Sequence, residues 1–291
     1  MNANRFVIGL FVSSAAFLTL GLVLPGSVFA QGGTCTEDTQ VDCINWEEGI
    51  AIAVGSGAPA SWAESAAQKN ISAQRAAKVD AMRNLLELVK GINVSSETTI
   101  QDAMLANDRI QSSIQGRIAG VRALGEPRYF DDGSIMIKMA ARLKDMIPAD
   151  VYLSGPPREL GPPAEIRLQR AGGRIDTGRA YTGLIIDARG TGVLPAMSPK
   201  VLDPEGREIY GSAYVSREFA VAQGIVGYAK DVDAARQNDR VQGNPLVIKA
   251  LESKGANKSD LVISGSDADA LREIAQTQNF MRQTRVMIVL D

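Results

Sequence analysis

The sequence contains no histidine. Ser-His-Asp and Cys-His catalysis, zinc sites built on imidazole and histidine-based pH switches are therefore excluded. No lysine has a serine three residues before it, so the Ser-x-x-Lys signature is also absent. The sequence thus predicts a protein without catalytic residues, metal site or cofactor. An enzyme that works through a pair of carboxylates stays open as an alternative, but the sequence singles out no such pair.

Clusters of one charge are also missing. The chain carries 31 basic and 33 acidic residues, a formal net charge of −2, and it has no long basic run. Proteins that bind nucleic acid or anionic membranes normally concentrate lysine and arginine on one surface. We therefore expect no nucleic-acid partner, and we expect the partners to be proteins or polymers.

Cysteine is scarce, and its two copies lie close together at Cys35 and Cys43. An isolated pair in a short polar segment is typical of a local disulfide formed in an oxidising compartment. A metal site would need further ligands, and a redox-active pair normally has only two residues between its cysteines. The sequence therefore predicts a disulfide between Cys35 and Cys43.

Residues 1–30 have the parts of a secretory signal peptide. A basic start and an uncharged apolar run over residues 6–24 are followed by a Pro-Gly helix breaker and by small residues up to Ala30. Cleavage after Ala30 would make the protein periplasmic or secreted, with no membrane span in the mature chain. An uncleaved membrane anchor is the alternative, since the apolar run is almost long enough to span a bilayer. A lipoprotein is not expected, because the first mature residue would be Gln31 rather than cysteine.

The mature chain divides into two predicted modules. The predicted segments are a disulfide-bearing segment at 31–43, a first α+β domain at 44–147, a Pro/Gly-rich linker at 148–180 and a second α+β domain at 181–291. Paired prolines in the linker hold the backbone extended and remove hydrogen-bond donors. The alternative is an ordered surface loop within one larger domain, because residues 165–169 could pair as a short strand.

The first module reads as a long helix packed on an antiparallel sheet. Its expected elements are a strand at 49–54, a helix from Ser61 or Ser65 to Gly91, a strand at 94–100, a helix at 102–116 and a hairpin of 121–130 with 134–143. An Asp-Gly turn between alternating strands favours this hairpin. Helical spacing predicts that the long helix buries Val79, Met82, Leu85, Leu86 and Val89.

The stretch from Gly49 to Leu143 resembles a known family. Its marks are the run RAAKVDAMRNLLELVKGINVSSETTI (Arg75–Ile100), the preceding GSGAP and the later DGSIMIKMAARL. This pattern is similar to the LPP20-like domain of bacterial envelope proteins and to the N-terminal domain of the flagellar assembly protein T family. The resemblance implies an exported protein with a structural or assembly role and offers no catalytic residues to transfer. Many such proteins are lipoproteins, whereas this chain has no lipobox, so attachment to the envelope should come from protein contacts.

The second module reads as strands and turns with one helix. The expected elements are strands at 181–188, 200–202, 208–210, 246–251, 260–264 and 285–290 and a helix at 267–280. Gly190 and Gly192 predict a close turn rather than a phosphate loop, because prolines follow where a helix would have to begin. Charged residues beside the turns form a candidate binding surface of Asp187, Arg189, Asp203 and Glu205. The alternative is that these charges are only solvated.

These observations favour an exported, non-enzymatic envelope protein with a structural or assembly role. A more specific form of this hypothesis associates the protein with the flagellum. Its expected partners are envelope or flagellar basal-body proteins, with self-association as an alternative. A second hypothesis is a periplasmic module that binds a peptide, glycan or ion through its C-terminal domain.

Overall fold

Two β-sheets with helices packed against them organise the chain in a computed structural model that describes Cys35, residues 39–153 and residues 175–291. The α+β class is confirmed. The predicted signal peptide at 1–30 lies outside the described residues, as does the central part of the predicted linker, residues 154–174. Across the described ranges, no helix is both long enough and apolar enough to cross a membrane.

The first module contains a four-stranded antiparallel sheet. Its elements are β1 (Cys43–Asn45), β2 (Ile50–Gly57), α1 (Ala66–Lys90), α2 (Ile100–Ala106), α3 (Asp108–Ala119), β3 (Ala123–Tyr129), β4 (Ile135–Arg142), α4 (Leu143–Met146) and α5 (Ala149–Tyr152). The strand order is β1-β2-β4-β3, and the predicted hairpin is confirmed as β3 and β4. Helix α5 falls inside the predicted linker, yet its Tyr152 is buried, so the packed part of the chain extends beyond residue 147.

Helix α1 begins at the second of its two predicted starts. Ser65 is the N-cap, and its side chain and that of Gln68 form a reciprocal capping box. The buried stripe differs from the predicted one, since Val79 is 48% exposed. The fully buried positions are Ala73, Ala77, Ala81, Leu85 and Val89. Most residues of this stripe are small, so the helix backbone can lie close against β2. The larger side chains of the predicted stripe would have kept the helix farther from the strand.

The β-branched run at 94–100 does not form the predicted strand. Val94 N donates to Thr98 O (2.8 Å), which closes a tight loop, and Thr99 then caps helix α2. The helix predicted at 102–116 is split into α2 and α3 at Asn107, whose side chain accepts from Arg109 N (2.9 Å). Thr and Asn side chains can accept hydrogen bonds from nearby backbone amides. They therefore favour the start of a new helix over the continuation of a strand or helix.

The second module contains a seven-stranded mixed sheet. Its elements are β5 (Leu184–Asp187), β6 (Val201–Leu202), β7 (Glu208–Tyr210), α6 (Arg217–Gln223), β8 (Gly227–Ala229), α7 (Val232–Gln237), β9 (Leu246–Lys254), β10 (Asp260–Ile263), α8 (Gly265–Thr277) and β11 (Val286–Val289). The strand order is β7-β6-β10-β9-β5-β11-β8. All six predicted strands are found, whereas α6 and β8 were not predicted. Strand β11 is fully buried between β5 and β8, both parallel to it, so the C-terminal segment is part of the core.

The two modules are joined by residues 93–98, which we call the docking loop. Asn93 O and Val94 O accept from the amides of Met197 (2.9 Å) and Ser198 (2.8 Å). Ser96 Oγ donates to Asp260 Oδ2 (2.6 Å), a contact between two buried side chains. One apolar core continues through both modules, and the described residues from Cys35 onward belong to one compact unit. The two modules therefore share one apolar core within the described residues.

Close approach of α1 to β2 yields a stability prediction. A Cβ added at Gly55 would lie 2.1 Å from the backbone nitrogen of Ala81, so Gly55→Ala must push the helix off the sheet. We expect it to lower the free energy of unfolding by about 3 kcal/mol or more. The control is Gly116→Ala in α3, where nothing lies within 4 Å and the gain in helix propensity should stabilise the protein by up to about 1 kcal/mol. Chemical denaturation measures both, and a Gly55→Ala variant as stable as the control would contradict the close packing.

Candidate functional site

Asp187 and Arg189, two residues of the predicted binding surface, form a closed ion pair after β5. Arg189 Nε and Nη2 donate to the two carboxylate oxygens of Asp187 at 2.8 and 2.7 Å. This hydrogen bonding holds the pKa of Asp187 below its usual range. Gly190 follows with a φ of +81° and donates its amide to Asp291 Oδ1 (2.8 Å), which fits the predicted close turn. The polar atoms of this pair are directed at each other rather than at a ligand.

Asp203, the third predicted residue, is buried and has a structural role. Its Oδ2 accepts from Arg272 Nη2 (2.5 Å) and from Arg207 Nε (2.6 Å), while Glu205 pairs with Arg207 at 3.0 Å. Burial alone would raise the pKa of Asp203, but the hydrogen bonds from Arg272 and Arg207 outweigh it and hold the pKa below its usual range. Asp203 therefore ties the β6–β7 turn to helix α8.

The four predicted residues form two separate clusters. Asp187 ends β5 and Asp203 follows β6, and strands β9 and β10 lie between those two strands. Three inter-strand spacings correspond to roughly 14 Å. The structure therefore brings Asp187 together with Arg189 and Asp203 together with Glu205, but it does not unite them in one binding surface.

The predicted disulfide is present. Cys35 and Cys43 are bonded with their Cα atoms 5.8 Å apart, and the pair packs against Ile52 of β2. Cys43 is also the first residue of β1, which leads directly into Trp46. The disulfide therefore holds the start of the segment that forms one wall of the cleft described next.

A cleft of about 530 Å³ opens between the two modules. The first module contributes residues 46–50, 142–144 and Tyr152. The second module contributes Ala196 and Met197, residues 222–228 and Arg240. Both walls are needed to form it, so the cleft depends on the docking of the modules.

Three cations in the cleft lack a carboxylate partner. No carboxylate of the described residues forms an ion pair with Arg142, Lys144 or Arg240. Lys144 Nζ donates to the backbone carbonyl of Ala222 (3.2 Å), and Arg240 donates to the carbonyls of Gln223, Gly224 and Thr284. Elsewhere, arginines with acidic neighbours are neutralised, as at Arg189, Arg207, Arg217 and Arg272. Glu47 and Glu48 also line the cleft, so its three cations and two carboxylates leave a formal net charge of +1.

Arg240 is the most confined of these cations. Burial lowers the pKa of its guanidinium, because the charged form loses hydration that the neutral carbonyls replace only in part. Carbonyl dipoles orient the group but carry no net charge. An anion entering the cleft would therefore meet a guanidinium that is already positioned.

Aromatic side chains line the same cleft. Trp46 meets Tyr228 edge to face with ring centroids 5.5 Å apart. The Tyr228 hydroxyl accepts from Ala196 N (2.9 Å) and donates to Ala196 O (2.7 Å), and burial raises its pKa. Since this hydroxyl is engaged with the backbone, Tyr228 serves as a fixed wall rather than as a reactive group.

The described ranges contain no group of three or more acidic or cysteine side chains placed to hold a metal ion. Of the predicted surface residues, Asp187 and Asp203 have lowered pKa values and are paired with arginines. In the cleft, Lys144 and Arg240 donate to backbone carbonyls. The arrangement is suited to binding an anionic ligand.

Comparison with known proteins gives one match for the second module. Residues 183–291 match the family described as Treponema pallidum Tp0624, second domain. The matched region begins one residue before β5 and ends at the last residue of the chain, so it includes the whole seven-stranded sheet. No curated protein matches the chain.

Sequence reasoning did not find the cleft residues. Trp46, Arg142 and Arg240 are separated by about one hundred positions at each step, and although Arg142 lies in the DGSIMIKMAARL run, nothing in that run marks it as a binding residue. Trp46 is the cleft residue that the sequence could have singled out. It is one of two tryptophans in a chain with 5% aromatic residues, and it lies between the disulfide segment and Gly49.

The buried Asp203 predicts a pH dependence of stability. Because its pKa is lower in the folded state, its contribution is full above the unfolded value of about 3.9 and is lost as pH falls through the folded value. Asp203→Asn should cost about 2 kcal/mol near neutral pH, and the gap to wild type should close below about pH 4. Asp150→Asn is the control, since its ion pair with Arg217 is exposed and should contribute less than about 1 kcal/mol. Thermal unfolding across pH measures this, and parallel stability curves for wild type and Asp203→Asn would contradict it.

Proposed function

We propose that this protein is an exported, non-enzymatic envelope protein with a structural or assembly role, and that it holds a partner in the cleft between its modules. The observation that supports this most directly is the cleft itself, with three cations that lack carboxylate partners among the described residues. Charged surfaces that recognise a partner typically carry side chains whose charge is complemented by the partner rather than by the same chain. In a protein with no partner at this cleft, carboxylates paired with these cations would stabilise the fold.

Export and envelope location are parts of the same proposal. The Cys35–Cys43 disulfide supports an oxidising compartment, and the predicted signal peptide supports transport to the periplasm. The resemblance of residues 49–143 to LPP20-like and flagellar assembly protein T domains supports an assembly role, and a flagellar association is its more specific form. Its partners would be envelope or basal-body proteins.

A ligand site within the C-terminal domain alone has less support. Its charged residues are engaged in the Asp187–Arg189 and Asp203–Arg207–Arg272 ion pairs. Binding there would have to break hydrogen bonds that already satisfy both partners. A ligand in the cleft could pair with the cations there without breaking an ion pair between described residues.

Site-specific photo-crosslinking in the native host tests the proposed function. A photoreactive phenylalanine analogue replaces Glu48, an exposed residue that lines the cleft, and in a control protein it replaces Glu252, an exposed residue on β9 outside the cleft. We expect position 48 to give a discrete adduct in the periplasmic or envelope fraction, with an exported protein identified in it by mass spectrometry. We also expect N-terminal sequencing to find Gln31 as the first residue.

Two outcomes would contradict the proposed function. Recovery of the chain in the cytoplasm with its N-terminus intact would exclude export. Absence of an adduct at position 48, or the same adducts at positions 48 and 252, would show that the cleft does not hold a specific partner.

A further inference from the structure

Strand β8 lies at the border of the large sheet and beside the cleft. Its strand partner is β11, and it is the last strand in the order of the seven. Val226, Gly227 and Tyr228 all line the cleft. An edge strand presents main-chain donors and acceptors that can pair with an added strand. The cleft therefore combines a sheet edge with three cations that form no ion pair within the described ranges.

The direction of the β8 main chain can be worked out from its pairing with β11. Leu290 N donates to Ala229 O (2.9 Å), so the main-chain groups of Ala229 point toward β11. Neighbouring residues of a strand point their main-chain groups to opposite sides, so those of Tyr228 and Lys230 point outward. No described residue forms a hydrogen bond to the Tyr228 amide or carbonyl on that outer side.

A carboxylate of the chain already binds this outer edge. Glu47 Oε1 accepts from the amide of Lys230 at 3.1 Å. Glu47 belongs to the exposed turn that follows β1, so this contact is made at the mouth of the cleft. Lys230 directly follows β8, so its amide already has an acidic partner within the chain, and this contact leaves the Tyr228 main chain for pairing.

We propose that the cleft binds an acidic, extended peptide segment of a partner protein, which adds as a strand to the outer edge of β8 while its carboxylates pair with Arg142, Lys144 and Arg240. This inference rests on the proposed function and names the chemistry of the partner. Main-chain pairing supplies affinity in such strand addition, and side-chain contacts supply specificity. The three cations line the same cleft as Gly227 and Tyr228 of β8.

A peptide fits these features better than an anionic glycan does. Both would satisfy the cations, but only a peptide carries the amides and carbonyls that can pair with the outward main chain of Tyr228. The edge-to-face pair of Trp46 and Tyr228 also presents ring edges and an apolar wall, against which the apolar residues of an alternating sequence would pack. The glycan becomes an outcome of the test.

The test is a titration of the purified mature protein, carried out by calorimetry at low and at raised salt. The probes are a short peptide of alternating valine and glutamate, the same peptide with alternate backbone amides methylated, the corresponding valine–lysine peptide and a short oligogalacturonate. The protein variants are Arg142→Glu in the cleft and Arg236→Glu on α7. Arg236 is an exposed cation that does not line the cleft, so it controls for the change in overall charge. Thermal unfolding verifies that both variants are folded.

We expect the valine–glutamate peptide to bind and raised salt to weaken it. Arg142→Glu should weaken binding by roughly tenfold or more, whereas Arg236→Glu should change it by less than about twofold. Backbone methylation should weaken binding to a similar extent, and the valine–lysine peptide should not bind.

Other results would overturn the inference. Equal binding of the methylated peptide or of oligogalacturonate would show that charge alone is recognised, without strand addition. No binding of the valine–glutamate peptide, or equal loss in both variants, would exclude an acidic peptide in the cleft. Since crosslinking at position 48 does not depend on these probes, an adduct found there together with a failed titration would leave the proposed function intact and reject only this inference.

Discussion

The buried hydrogen bond between Ser96 and Asp260 is the contact on which the arrangement of the modules depends. Asp260 Oδ2 accepts from Ser96 Oγ at 2.6 Å and Oδ1 accepts from Lys200 N at 2.9 Å, so one buried carboxylate connects the docking loop to the second sheet. Removing a partner from a buried charged group leaves it unsatisfied, which costs more than the bond itself contributes. Gly255 makes the fit possible, because a Cβ there would lie 2.2 Å from that of Ser96.

The docking loop also explains why the cleft is a fixed feature. The apolar core runs without a break from Leu85 and Val89 of α1 to Ile186 and Ile288 in the second sheet. Close-packed protein interiors do not deform gradually. The two walls of the cleft therefore cannot slide past each other without breaking the apolar core. A preorganised cleft avoids the entropy cost of ordering its walls when a partner arrives. Lys144 and Arg240 are held in place before binding by their hydrogen bonds to backbone carbonyls.

Local patterns in the sequence predicted the elements well and their assembly poorly. Alternation and an Asp-Gly turn identified the β3–β4 hairpin, and apolar strand-length runs identified β5, β9, β10 and β11. The predicted buried stripe of α1 is confirmed at Leu85 and Val89 but was wrong at Val79, which is exposed. Burial follows the close contact of the helix with Gly55 and Gly57, which lie on β2. The run at 94–100 was misread as a strand, because Val94 N bonds to Thr98 O within the run, while Val94 O and the Ser96 side chain bond to residues more than one hundred positions later.

The candidate site shows the same limit. Asp187 and Asp203 were grouped because both follow predicted strands and precede turns, but the sequence does not reveal that β9 and β10 lie between those strands. The cleft draws its walls from both modules, and its cations are distinguished by having no carboxylate nearby, a property that only the folded chain defines. The disulfide was predictable because it depends on two residues close in sequence.

The central claim is that the two modules fold as one unit through the docking loop. Hydrogen exchange measured by mass spectrometry at increasing denaturant concentration reports the opening free energy of each strand and helix separately. We expect β4 of the first module and β11 of the second to share one unfolding free energy, and Asp260→Ala to lower both by the same amount. If the two strands exchange with different unfolding free energies, or if Asp260→Ala lowers only that of β11, the modules are independent and the cleft is not a fixed site.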